Sequence, residues 1–480
     1  MTGRTMGMAA ALAFLCGNMA RTADLDEDTN LNVQPPIPLE GGTQNVAYNE
    51  DAEFGEWTGG YNWGDRHGDD TGVAVEPPGL NLGEYNLINT FSSTDSFDRN
   101  SLRLNLNGGD LTGAGGHIST DSGSDNRSGD IIIHNVGNVA LGDGYISVKR
   151  GAGRRVFGRI HIGEADRPAD NVQAAYFDNT GEESDPTSLY TAETFIYSTG
   201  NVLVEDSEGN RGDILSNMWP DNNNRVGHKS RIRVYHHGMF RAKDIWFKYR
   251  TSQSGNEALG LVEFDGAAYG DKVPKGSFSA GSMIGTASVR DRFPDSARTA
   301  SSHDVVIRNY TAVHVEEILV DTFGEGDDVG RNRGHAGGVW ITNIVGNINI
   351  ASAVSAWGEN ESHADNGVVV LQSNNGGIAM GTLDLSRVKH IVFSVGNGAF
   401  VQIAGEIRGT DGELLTGEDG VLSNGGNLRA PQGTVVQYRV EENPALGGAS
   451  YALADENGNT DPGGGTLRPW APRGTVFKFQ

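Results

Sequence analysis

Ile133-His134-Asn135-Val136-Gly137-Asn138-Val139-Ala140-Leu141 returns further along the chain as Ile341-Thr342-Asn343-Ile344-Val345-Gly346-Asn347-Ile348-Asn349-Ile350. The shared core, Gly-Asn-apolar-x-apolar, occurs again at Gly200-Asn201-Val202-Leu203-Val204. Weaker copies stand at Gly377-Ile378-Ala379-Met380 and Gly396-Asn397-Gly398-Ala399-Phe400. Short apolar strands punctuated by Gly and Asn are the sequence form of a β-solenoid. One coil cannot bury its apolar side alone and must stack on the next.

The pattern extends outward from these copies. Leu102-Arg103-Leu104-Asn105-Leu106 alternates strictly, and Asn107-Gly108-Gly109-Asp110 then turns the chain. Ile131-Ile132-Ile133, Ile160-His161-Ile162, Ile232-Arg233-Val234, Val305-Val306-Ile307, Val368-Val369-Val370 and Ile391-Val392-Phe393 follow. Alternation of period two puts one side of a strand into a core and the other into water. Ile133, Val139, Leu141, Ile341, Ile348 and Ile350 are therefore expected to face inward. No amphipathic helix is legible. Coils about 20–30 residues apart predict on the order of ten to fourteen of them.

Composition agrees with a solenoid. Gly contributes 69 of the 480 residues and hydrophobic residues only 37%, which suits thin coils with much surface. The formal net charge of −25 argues against general nucleic-acid binding and suits a soluble exported protein or counter-cations such as Ca²⁺. The one cysteine, Cys16, ends the apolar run that begins at Met8, and Arg4 precedes that run. A basic start and a short apolar stretch read as a secretory signal over 1–23. Its removal would leave no cysteine and no disulfide, which is more typical of bacterial secreted chains. No segment is long and apolar enough to predict a membrane span.

Three further regions follow the signal. Residues 24–100 read as an acidic leader and N-terminal cap, with Phe54, Trp57, Tyr61 and Trp63 serving the cap or, alternatively, a sugar-stacking platform. Residues 101–410 are the solenoid. Residues 411–480 are a Gly- and Asp-rich C-terminal cap.

The 101–410 segment resembles the pectin-lyase-like β-helix superfamily and the passenger β-helices of bacterial surface proteins, on its Ile-x-Asn and Gly-Asn-Val/Ile patterns. The resemblance implies an all-β, right-handed parallel β-helix. Asparagines at a turn between coils would stack into an amide ladder. A β-sandwich or jelly-roll array is the rival architecture. Polygalacturonases share the β-helix and carry an Asp pair, a Gly-His-Gly and an Arg-Ile-Lys in that order. By this likeness the candidate catalytic residues are Asp327, Asp328, His335, Arg387 and Lys389, the carboxylates acting as general acid and base. The match departs where Ala336 follows His335 and Val388 replaces the Ile. The Asp pair also sits in an apparent Gly-rich turn, so chance in a Gly/Asp-rich chain accounts for the likeness.

Asp455, Asn457, Asn459 and Asp461 place oxygens at alternate positions, and Asp26, Asp28, Asn30 and Asn32 do the same. Both are candidate Ca²⁺ loops, or ordinary solvated turns. His236 and His237 are adjacent, so on a strand they point to opposite sides and cannot share a metal. A basic stretch interrupts the acidic chain: Lys229, Arg231, Arg233, Arg241, Lys243, Lys248 and Arg250. Arg231, Arg233, Lys248 and Arg250, with Tyr235 and Trp246 stacking, form a candidate surface for an acidic glycan. A solvated face balancing nearby acids is the plainer reading. The expectation is an exported, non-enzymatic cell-surface or extracellular protein, glycan-binding, adhesive or structural, with self-association compatible. The alternative is a lyase or glycoside hydrolase acting on an acidic polysaccharide.

Overall fold

A computed structural model of the chain describes residues 79–82, 87–89, 99–121, 128–150, 155–183, 189–220, 228–247, 249–251, 258–285, 287–290, 301–320, 322–325, 338–355, 368–384, 390–395 and 401–403, with short paired strands beyond that span. The described elements are strands joined by turns, without a helix among them. They stack as a parallel β-solenoid.

Each coil passes through the same sequence of faces. A long strand such as Ser128–His134, Arg155–Ile162, Leu189–Tyr197, His228–Tyr235 or Ala258–Asp265 enters an 11-stranded sheet. The chain turns a corner into a short strand such as Val139–Ala140, Val172–Ala174 or Val202–Val204. A second corner leads to a third face, built from strands such as Ile146–Arg150, Phe177–Glu183 and Ile214–Pro220. Each strand pairs in parallel with its equivalents in the adjoining coils. The sandwich alternative, which requires antiparallel sheets face to face, is therefore not the architecture of this region.

Register explains the core. Ile131, Ile160, Thr194, Ile232, Val262, Val305, Val339 and Val369 lie one above another in the long sheet. Leu80, Leu111, Val139, Val172, Val202, Phe240, Phe278, Val313, Ile348, Ile378 and Val401 do so on the second face. These positions are buried, as are all six residues expected inside. Full burial of such side chains contributes about 1.5–3 kcal/mol each, and their repetition holds the rod together.

The Gly-Asn signature is the first corner. Asn107, Asn135, Asn309 and Asn343 take φ values of 51°, 48°, 64° and 54°, the left-handed region that Asn tolerates better than other residues with a side chain. Asn135 Nδ2 donates to Asn105 Oδ1 at 3.1 Å, and Asn374 Nδ2 to Asn343 Oδ1 at 2.7 Å. A second ladder runs beside this one. The Asn138 backbone N–H donates to Asp110 Oδ1 at 2.7 Å, and Asn171 Nδ2 donates to Asn138 Oδ1 at 3.0 Å. The Asn201 N–H donates to Asn171 Oδ1 at 2.9 Å, and the Met239 N–H to Asn201 Oδ1 at 2.8 Å. The preceding residue is Gly because the ladder passes so close: a Cβ on Gly137 would stand 2.5 Å from Asp110 Oδ1.

Two expectations need adjustment. Contacts between adjacent coils span 30 residues at Asn105–Asn135 but 44 at Asp265–Asn309. Coils reach well beyond 20–30 residues because some corners carry inserted loops. The stack also reaches past its expected limits. Leu80–Asn81 pairs in parallel with Leu111–Thr112, and Val401–Ile403 with Val436–Tyr438.

Midway along the rod the core is aromatic. Phe240 stacks on Phe278 at 4.8 Å, and Phe264 packs against both at 4.7 and 5.0 Å. His236 is fully buried among them. Its Nδ1 faces the Gly200 carbonyl at 3.3 Å and its Nε2 faces the Tyr310 hydroxyl at 2.8 Å. A carbonyl only accepts, so Nδ1 carries the hydrogen and Nε2 accepts from the tyrosine. Burial lowers the imidazole pKa to about 4.

Two measurements follow from these features. Asn171→Ala removes the acceptor of the Asn201 N–H, and urea denaturation should show a loss of about 1–2 kcal/mol. Glu316→Ala, at an exposed position, should stay within about 0.5 kcal/mol. The depressed pKa of His236 means that the unfolded chain takes up its proton first. Stability is therefore full above about pH 6.5 and falls as pH drops toward about 4, by on the order of 3 kcal/mol. His236→Gln, which can still accept from Tyr310, should lose that part of the pH dependence. An unchanged slope would remove His236 as its source.

Candidate functional site

Alternation settles where the basic strand points. Ile232 and Val234 are buried, so Arg231, Arg233 and Tyr235 stand on the outer side of the long sheet, as the sequence predicts. Register sets Phe195 beside Arg233 and Glu263, and Tyr197 beside Tyr235 and Asp265. Arg233 Nε and Nη2 both lie 3.0 Å from Glu263 Oε2, and the Tyr235 hydroxyl donates to the same oxygen at 3.2 Å. The Arg233 guanidinium also sits 5.2 Å from the Phe195 ring centre and 5.1 Å from that of Tyr235. Arg231 lies 5.7 Å from the Phe195 ring and His161 stacks on it at 4.8 Å. Phe195 points outward yet is only 7% exposed, because these neighbours cover it.

The same neutralisation recurs along the rod. Arg159 pairs with Glu193 at 3.2 Å, Arg241 with Glu205 at 3.1 Å and Arg308 with Asp265 at 3.0 Å. Lys243 lies 3.7 Å from Asp213 and 3.6 Å from Asp244. Arg233, Arg241 and Lys243, close together in sequence, thus each meet an acid on an adjoining coil.

The six expected glycan contacts do not share one face. Arg231, Arg233 and Tyr235 belong to the long sheet, whereas Trp246 lies in Ile245–Trp246 on the third face. The strand of Arg250, Tyr249–Thr251, is also on that third face. Lys248 and the Arg250 side chain lie outside the described residues, as do Asp327, Asp328, His335, Arg387, Lys389, Asp455, Asn457, Asn459 and Asp461. The Asp26–Asn32 loop lies outside them too. Among the described residues no group of three or more His, Cys, Asp and Glu side chains could hold a metal ion. No described helix is long and apolar enough to cross a membrane. His236 is buried while His237 faces the 269–275 loop, so the two diverge as expected.

Two outer features escape the sequence reading. His117, Tyr145 and Tyr176 stack face to face on successive coils, with centroids 4.4 and 4.3 Å apart. Their signal is the residue just before each strand of the third face. The other feature is a set of uneven corners. The turn after the long sheet is short at 135–138, 198–201, 236–239 and 309–312, but extends over 163–171 and 266–277. The two long corners bracket the short ones at 198–201 and 236–239. Tyr197 and Tyr235 end the strands beneath, with ring centres 6.0 Å apart and edge to face. Tyr269, on the second long corner, has its phenol pushed up to about 12 by burial, by Tyr197 and Tyr235, and by Asp166 from the first.

No family model, curated protein or solved structure matches the chain. The parallel stacking shows a β-solenoid, and none of these comparisons supports the pectin-lyase-like superfamily.

Glu263 anchors both Arg233 and Tyr235, which gives it a spectroscopic signature. Burial and the Glu263 carboxylate raise the Tyr235 phenol pKa, while Arg233 lowers it. Glu263→Ala removes an acceptor that favours the protonated phenol, so a tyrosine should titrate at lower pH in ultraviolet absorbance. The stability cost of breaking this partly exposed pair should be about 1 kcal/mol or less.

Proposed function

We propose that the chain is an exported, non-enzymatic β-helix that acts outside the cell or at its surface as a rigid structural and glycan-engaging element. One observation carries the reading: charged and aromatic side chains on the outer face of the long sheet are tied to the adjoining coils. Arg233 with Glu263, Arg159 with Glu193 and Arg308 with Asp265 are the clearest cases. Side chains fixed in this way favour a stiff surface over a site with free acid and base groups. A stack spaced about 4.8 Å per coil makes an extended rod. The acidic composition suits solubility outside the cell.

The acidic-glycan surface is the narrower reading, and it rests on the edge formed by Arg231, Arg233 and Tyr235. Guanidinium groups already paired can still present their remaining N–H donors to a carboxylate.

Purified protein incubated with pectin, alginate and related polymers should release neither reducing nor unsaturated ends. Release that Asp328→Ala abolishes would replace this reading with a polysaccharide-cleaving one. Acidic-polymer binding, measured by affinity electrophoresis, should fade as NaCl rises, because exposed charge pairs are screened beyond about 8 Å at physiological ionic strength. It should also fall in the Arg231→Ala, Arg233→Ala double variant. Binding indifferent to both would remove the basic edge from the account. Ordered self-association without affinity for any glycan would leave the structural half standing alone.

A further inference from the structure

The outer column of the long sheet changes character partway along the rod. Register sets Phe195, Arg233 and Glu263 one above another, and then Val306, Trp340 and Val370. The first three are tied together through Arg233. The next three are apolar and partly exposed. They point outward because Val305, Ile307, Val339, Ile341, Val369 and Leu371, which flank them in their strands, are buried. We propose that Trp340 is the platform of a binding site for a neutral polysaccharide lying on this face. The proposal rests on the surface-glycan reading above and names the ligand class and the place.

A glycine sets the indole in place. Gly338 stands two residues before Trp340, on the same side of the strand Gly338–Ile344. A Cβ at residue 338 would run into the six-membered ring of Trp340. The ring therefore lies along its own strand, over Gly338, with one face toward the sheet and the other toward solvent. Glycine inside a strand costs about 0.5–1 kcal/mol relative to Ala, and here it makes room for a flat ring. Among the described residues no ring or cation packs against the indole, and its N–H meets no acceptor. Such a ring supplies half of what sugar recognition needs. Its face takes pyranose C–H groups, and its N–H takes a hydroxyl.

Polar groups stand beside it. Thr342 follows on the same strand, and Arg308 lies opposite Thr342 on the preceding coil. Gln372 lies on the following coil, two residues after Val370. All three are partly exposed. Arg308 Nε donates to Asp265 Oδ2 at 3.0 Å, which fixes the guanidinium and leaves its terminal N–H groups for a sugar hydroxyl. The Thr342 hydroxyl and the Gln372 amide add donors and acceptors. Trp340 and Arg308 are ordered before a ligand arrives, so contact with them costs little entropy.

Charge and size decide the ligand class. Arg308 is the one charged side chain among these described neighbours, and Asp265 balances it. A polyanion therefore gains little here. The bases that would hold one, Arg231 and Arg233, lie three coils back, about 14 Å along the rod. The apolar strip from Val306 through Trp340 to Val370 is one side chain wide and roughly 10 Å long. That is too small for a stable protein partner, which covers about 800 Å². A sugar chain, which needs one ring face and a few hydrogen bonds at a time, fits it.

The test is isothermal titration of the full chain with four neutral hexasaccharides: β-1,4-glucan, β-1,3-glucan, β-1,4-xylan and β-1,4-mannan. Hexagalacturonate forms the acidic arm. At least one neutral sugar should bind, with an affinity indifferent to NaCl between about 0.05 and 0.5 M. Trp340→Ala should weaken it about tenfold or more. Gly338→Ala, which keeps the indole but pushes it off the strand, should weaken it severalfold. Tyr145→Ala, on another corner, should leave it unchanged. In the wild-type protein the Trp340 indole N–H signal in NMR, assigned by its loss in Trp340→Phe, should shift as sugar is added. That readout stands even where Trp340→Ala fails to fold. Failure of all four sugars to bind at about 5 mM, an affinity untouched by Trp340→Ala, or an unmoved indole signal overturns the proposal and leaves the ring as a cover for Gly338. Salt-sensitive binding of hexagalacturonate alone would also overturn it, while leaving the surface-glycan reading intact.

Discussion

Everything in this rod depends on in-register parallel stacking. Backbone N–H and C=O groups of one coil are met largely by the coils on either side, and that pairing fixes which residue lies over which. Once Ile131 lies beside Ile160 and Val139 beside Val172, every other position in those coils is set. Inward positions repeat as aliphatic or aromatic columns, and corner positions repeat as amides. Outward positions repeat as stacked rings or opposed charges. A chain with only 37% hydrophobic residues can hold such a structure because each coil buries a narrow core and shares its interface with two neighbours.

The amide corner and the aromatic core are parts of one arrangement. Gly200 precedes Asn201 in the ladder, and the amide of Asn171 approaches it closely. The Gly200 carbonyl then receives His236, whose other nitrogen takes the Tyr310 hydroxyl. The polar string therefore runs from the corner of one coil into the core of others. A buried imidazole is costly unless both nitrogens are met. Here both are, and the neutral form persists because burial opposes the charge. The ladder positions the carbonyl that makes a histidine tolerable among Phe240, Phe264 and Phe278.

The interior was legible because its signal is local. Alternation at Ile131-Ile132-Ile133 or Ile232-Arg233-Val234 declares the inward side within a few residues, and Gly-Asn marks the corner that follows. The outside was legible only halfway. Placing Arg231, Arg233 and Tyr235 on one side needs only alternation. Knowing that Glu263 neutralises Arg233 needs the partner 30 residues away. Arg241 and Glu205 are 36 residues apart, and Arg308 and Asp265 are 43. Coil length varies with the loop each corner carries, so these offsets cannot be read from a fixed period. Nearness in sequence likewise hides the corner that sets Trp246 on a different face of the rod from Arg231 and Arg233.

That variation in coil length also separates the faces from the corners. A residue on a face is constrained on both sides by its column, and replacing it disturbs two neighbours. A corner is freer. The 163–171 segment leaves the stack after Gly163 and rejoins at Ala169, which bridges to Ser198. The 266–277 segment rejoins where Gly276 lies against Gly238. Between exit and return, inserted residues add little beyond the entropy of closing a longer loop, which grows slowly with length. The faces can thus stay locked in paired charges while the corners gain Tyr269, Asp166 and Lys272. The two insertions stand on coils separated by two short corners. The periodic stack fixes the distance between them, so a rigid repeat becomes the ruler for an irregular surface.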